Sequence, residues 1–106
     1  MPSYLVETYL TRSGARERAV RELRARSAAE ELTQTHTPVR FEHSIYVPED
    51  EICFFVFDAP SARDAALAAQ RAALDPIRVV EATTSRDEDR HTTRSRTSTK
   101  KEGGTR

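Results

Sequence analysis

The sequence predicts an α+β domain of βαββαβ order, with a four-stranded antiparallel sheet carrying both helices on one face. Three observations predict it. Two runs of helical composition, Ala15 to about Thr33 and Ser61 to Leu74, each lie between strand-like segments. Residues 38–58 read as a hairpin, with a polar turn at Pro48-Glu49-Asp50-Glu51. Its second arm, Ile52 to Asp58 (ICFFVFD), is apolar on both sides, the pattern of a central strand covered on both faces.

The elements follow in order. Tyr4 to Leu10 (YLVETYL) is aromatic and β-branched, which favours a strand. Ser13 and Gly14 introduce the first helix, whose apolar stripe is read as Ala15, Ala19, Val20, Leu23 and Ser27. After Pro38, the residues Val39, Phe41, His43, Ile45 and Val47 alternate with Arg40, Glu42, Ser44 and Tyr46, so period two puts His43 and Phe41 on one face. Ser61 caps the second helix with Asp64 three residues on, and Ala62, Ala66, Leu67, Ala73 and Leu74 are read as its buried side. Asp75 and Pro76 stop that helix, and Ile77 to Ala82 supplies the last strand.

A chain of 106 residues leaves room for one core. The domain is read as Met1 to Ala82, followed by a disordered polar tail over 83–106, where apolar residues are absent and Thr, Ser and Arg dominate. The 17 basic and 17 acidic residues divide as 10 against 13 through Ala82 and 7 against 4 after it. Neither part carries the dense Lys/Arg face that nucleic-acid binding needs, so no nucleic-acid partner is expected. The longest apolar stretch is far below the ~20 residues that span a bilayer, so no membrane partner is expected either. A single cysteine, Cys53, excludes an intrachain disulfide, and the reading is a cytoplasmic protein. With both helices on one side, the other sheet face is left bare. A homodimer pairing those faces into a dimeric α/β barrel is expected, with any pocket between them.

Tyr4-Leu5-Val6-Glu7, His43-Ser44, Val47-Pro48-Glu49-Asp50, Cys53-Phe54, Ala59-Pro60-Ser61, Arg71-Ala72 and Val80-Glu81 follow one another in an order and spacing that resemble a family of small bacterial ferredoxin-like domains. Most members of that family have no assigned function, and one is a nickel-responsive, nickel-binding protein of actinobacteria. The resemblance covers most of residues 4–82. It implies a ferredoxin-like dimer that binds a divalent metal. The chain departs from the nickel-binding member in having Glu7, Thr8 and Tyr9 where that protein is histidine-rich, Ala69-Gln70 before Arg71, and Ala73-Leu74-Asp75-Pro76 after the second helix.

Polar groups inside apolar strands point to chemistry. His43 reads as a metal ligand, a proton-transfer group, or an interfacial imidazole satisfied by hydrogen bonds. Glu7 and Glu81 lie in the first and last strands, neighbours in this fold, and with His43 would suit nickel or zinc, provided that all three share a face. Cys53 is a reserve ligand. Tyr9, Phe41 and Phe55 are expected to line a ligand pocket. The leading expectation is therefore a dimeric binding protein for a divalent metal or a small ligand. The alternatives are a cofactor-independent enzyme, catalysing oxidation or isomerisation through His43 and Glu7, and an adaptor acting through its tail. No phosphate-binding glycine loop, nucleophile elbow or HExxH spacing occurs.

Overall fold

A computed structural model describes residues 1–83 and Ser85, so the expected tail falls almost wholly outside the described residues. The elements are strand β1 (Ser3–Tyr9), a 3-10 turn (Arg12–Gly14), helix α1 (Glu17–Gln34), strands β2 (Arg40–Val47) and β3 (Ile52–Asp58), helix α2 (Ala62–Arg71) and strand β4 (Arg78–Ala82). The strands form one sheet in the order β2-β3-β1-β4 with every neighbouring pair antiparallel. This is the ferredoxin-like α+β fold.

Strand alternation splits the sheet into two faces. Tyr4, Val6 and Thr8 of β1 pair with Phe57, Phe55 and Cys53 of β3, and these side chains pack against the alanines of both helices in a single core. Phe41 completes it, tilted against Phe55 and Phe57 at centroid separations of 6.1 and 5.4 Å. The opposite face has no covering element among the described residues.

The period-two reading of β2 fails at one residue. The pairing with β3 shifts between Phe41 and His43, so Glu42 is an extra residue, a β-bulge. Before the bulge Val39 and Phe41 are buried; after it Ser44 and Tyr46 take the helix side, leaving His43, Ile45 and Val47 on the uncovered face. Phe41 and His43 thus point to opposite sides of the sheet.

The stripe expected on α1 is also the wrong one. Val20 and Leu23 are 51% and 69% exposed, and Ala15, Ala19 and Ser27 are exposed with them. The buried side is Ala25, Ala28, Ala29 and Leu32, continued toward the N-terminus by half-buried Arg18, Arg21 and Glu22. Charged residues can occupy that side because it offers them partners. Arg18 donates from Nε to Ser44 Oγ at 2.8 Å and from Nη2 to the Ser44 carbonyl at 3.1 Å, and the Ser44 hydroxyl donates to Glu22. Arg21 donates to the Tyr9 carbonyl at 2.9 Å. On α2 the Ser61 cap is as expected, accepting from the Asp64 N–H at 3.1 Å. Ala65, Ala68, Ala69 and Leu74 are buried and Leu67 packs against the core, whereas Ala62 and Ala73 are exposed.

The end of α2 carries a conformational cost. Leu74 N–H reaches the Ala69 carbonyl and Ala73 N–H the Gln70 carbonyl, both at 3.0 Å, which is the Schellman arrangement. It requires a left-handed residue at position 73, where alanine sits at φ 57°. Arg24 of α1 offsets part of this by donating from Nε to the Ala72 carbonyl at 2.8 Å, adding positive charge at the helix C-terminus. Ala73→Gly is expected to stabilise the domain by about 0.5–1 kcal/mol, since glycine enters this region without the Cβ penalty. Urea unfolding checks it, and a destabilised glycine variant would contradict the strain assigned to Ala73.

Candidate functional site

The uncovered sheet face is the surface on which the polar groups singled out from sequence can meet. Register sets its layout. One cross-strand row is His43, Val56, Leu5 and Val80; the next is Ile45, Phe54, Glu7 and Arg78. Val47, Ile52 and Tyr9 lie at one end, and Arg40, Asp58 and Ser3 at the other. The face is therefore mostly apolar, with polar groups at the Arg40 end and an ion pair, Glu7 with Arg78, set into its β1–β4 side.

Glu7 and His43 do share this face, and Glu81 does not. Glu81 pairs with Tyr4, so its side chain is directed to the helix side at the exposed edge of β4. Between Glu7 and His43 runs strand β3, which puts them two strand spacings apart, about 10 Å, and in different rows. Glu7 is moreover engaged, accepting from Arg78 Nε at 2.8 Å. The expected metal set of Glu7, His43 and Glu81 is thus not assembled within a subunit, and no cluster of three or more His, Cys, Asp or Glu side chains suited to a metal ion occurs among the described residues. The same separation leaves His43 and Glu7 out of proton-transfer reach of one another within a subunit.

Of the residues expected to line a pocket, Tyr9 is on the uncovered face and 68% exposed. Phe41 and Phe55 are in the core between sheet and helices, and Phe41 also lines a recess of about 350 Å³ together with Arg26, Thr33 and Arg40, on the side of the sheet away from His43. Cys53 is fully buried on that side as well; burial pushes its thiol up against the opposing pull of Arg18 and Arg21, which keeps it protonated. Gln70 lines a separate recess of about 520 Å³ at the C-terminal end of α2, together with Ala66, Ala73, Asp75 and Pro76.

Sequence reading passed over the charged groups that border the face. Arg40 bridges Glu42 at 2.7 Å and Asp58 at 3.3 Å, while the Ser3 hydroxyl donates to Asp58 at 2.8 Å. The bulge brings Glu42 beside Asp58, a juxtaposition that strict alternation conceals. Burial pushes the Asp58 carboxyl up, but hydrogen bonding with Glu42 and Ser3 and the charge of Arg40 outweigh it and hold the group below the ordinary carboxylate range. A carboxyl lowered on folding contributes stability above its unfolded value, and that contribution is lost as pH falls through the folded value. Wild type is therefore expected to exceed Asp58→Asn in stability at neutral pH, with the gap closing under strongly acid conditions. Denaturant unfolding across pH measures it, and a gap that does not change with pH would contradict the assignment.

Comparison with protein-family models, with curated proteins and with solved structures finds no match to this chain. Among the described residues no helix is long and apolar enough to cross a membrane.

Proposed function

We propose that the chain is a homodimeric binding module that apposes its uncovered sheet faces and holds a small organic ligand between them. The supporting observation is the composition of that face: Leu5, Phe54 and Val80 surround an already buried Val56, with Ile45, Val47 and Ile52 beside them, and its charges are held in opposite-sign pairs, Arg40 with Asp58 at one end and Glu7 with Arg78 across β1 and β4. An uncovered apolar surface of this kind is characteristic of an interface. Four strands at about 4.8 Å spacing and seven residues at about 3.3 Å rise give a footprint of roughly 450 Å² in projection. That projection is somewhat over half of the ~800 Å² per partner of a standard interface. A second copy presents the same apolar surface, and both of its cations are already paired with carboxylates of their own subunit. The likeness of residues 4–82 to ferredoxin-like dimers points the same way. A cytoplasmic setting is supported by the one described cysteine being free and buried.

An organic ligand is preferred to a metal ion because the face offers an apolar lining with few, separated polar groups, the make-up of small-molecule sites. Calorimetry on the full chain with nickel, zinc, cobalt and copper, beside a panel of small organic molecules, tests this. The expected result is saturable binding of an organic member, weakened in His43→Ala. Tight binding of a metal ion, lost in His43→Ala, would overturn the choice of ligand.

A further inference from the structure

We infer that the ligand of this face is an organic anion, a carboxylate with an apolar body, and that Arg78 reads its charge. The inference rests on the binding face proposed above and adds the chemical class of what binds there.

The uncovered face carries two cations, and they differ in availability. Arg40 is shared between two carboxylates, Glu42 and Asp58, so its charge is more than balanced. Arg78 has one carboxylate, Glu7, which takes Nε alone at 2.8 Å. Among the described residues Nη1 and Nη2 of Arg78 have no hydrogen-bond partner, and the side chain is 66% exposed. A guanidinium held through Nε presents its two Nη groups as a planar fork in a set orientation, the geometry that accepts a carboxylate through two parallel hydrogen bonds. Glu7 is placed to do this holding because β1 and β4 pair the two residues directly across the sheet.

The surroundings of the fork select the body of the ligand. Next to Glu7 in the same row lies half-buried Phe54, and the neighbouring row supplies Val80, Leu5 and Val56. A molecule with its carboxylate on Arg78 extends over this apolar surface toward the imidazole of His43 at the far end of the row. A bare inorganic anion would leave that surface unused. A two-fold dimer contains two such forks, one from each subunit.

The probes are octanoate and benzoate, each beside its uncharged amide, titrated calorimetrically into the full chain with oligomeric mass recorded in the same buffer. The expected result is that a carboxylate binds at least about tenfold more tightly than its amide, and that Arg78→Lys, which keeps charge and loses the fork, weakens it by about tenfold or more. Glu7→Gln removes the competing negative charge and is expected to tighten carboxylate binding, a change opposite in sign to that of Arg78→Lys and not one that structural damage would produce. A dimer that binds amide and carboxylate alike, or binds neither at about 10 mM, overturns the inference and leaves the dimer standing. A monomer that still binds carboxylates through Arg78 supports the inference and overturns the dimer.

Discussion

Replacing Phe55 with alanine is expected to cost about 3–5 kcal/mol, enough to unfold much of a domain this small at room temperature. The ring has no solvent exposure, sits on the central strand β3, and lies across from Val6, itself fully buried. It also packs against Phe41 at a centroid distance of 6.1 Å. The helices above it contribute mostly alanines, whose short side chains cannot move in to fill the space a phenyl ring leaves. Most of the cavity would therefore persist, and the cavity cost adds to the lost transfer free energy. Phe55→Leu keeps most of the volume and should lose only about 1–1.5 kcal/mol. Urea denaturation followed by far-ultraviolet circular dichroism measures both, and a loss below about 1 kcal/mol for the alanine variant would place the ring outside the core.

The second large effect concerns association rather than folding. Ile45 lies on the edge strand β2, on the uncovered face, and is 45% exposed in a single subunit. Lysine can hold its ammonium in water there, so Ile45→Lys leaves the subunit folded. Against a second copy the same ammonium is buried without a partner, a cost of about 3 kcal/mol or more, which corresponds to at least 100-fold weaker association. Equal dimer affinity in wild type and variant would remove this face from the interface.

Much of the fold was legible because it rests on strong local signals. ICFFVFD is apolar on both sides, and in the structure one side of β3 meets the helices while the other forms the centre of the uncovered face. The Ser61 cap is likewise chemistry confined to a few residues, whereas α2 ends at Arg71 through the left-handed Ala73, ahead of the stop expected at Asp75 and Pro76. What was not legible depends on contacts distant in sequence. One extra residue at Glu42 reverses the phase of β2, and nothing in RFEHSIYV marks it. On α1 the buried side is partly Arg18 and Glu22, tolerable there only because Ser44, more than twenty residues away, satisfies both. Neighbouring strands alone suggest Glu81 as a partner for Glu7. The register pairs Glu7 with Arg78 instead, and a period-two reading of Arg78 and Val80 against Val79 and Glu81 was the one signal available to find it.

A second copy covering the uncovered sheet face is the central claim. Sedimentation equilibrium of the full chain at micromolar concentration, with Ile45→Lys run alongside, tests this most directly. The expected result is twice the chain mass for the wild type and a folded species of single-chain mass for the variant. A wild-type protein sedimenting as a monomer across that range, with the same mass as Ile45→Lys, would contradict it.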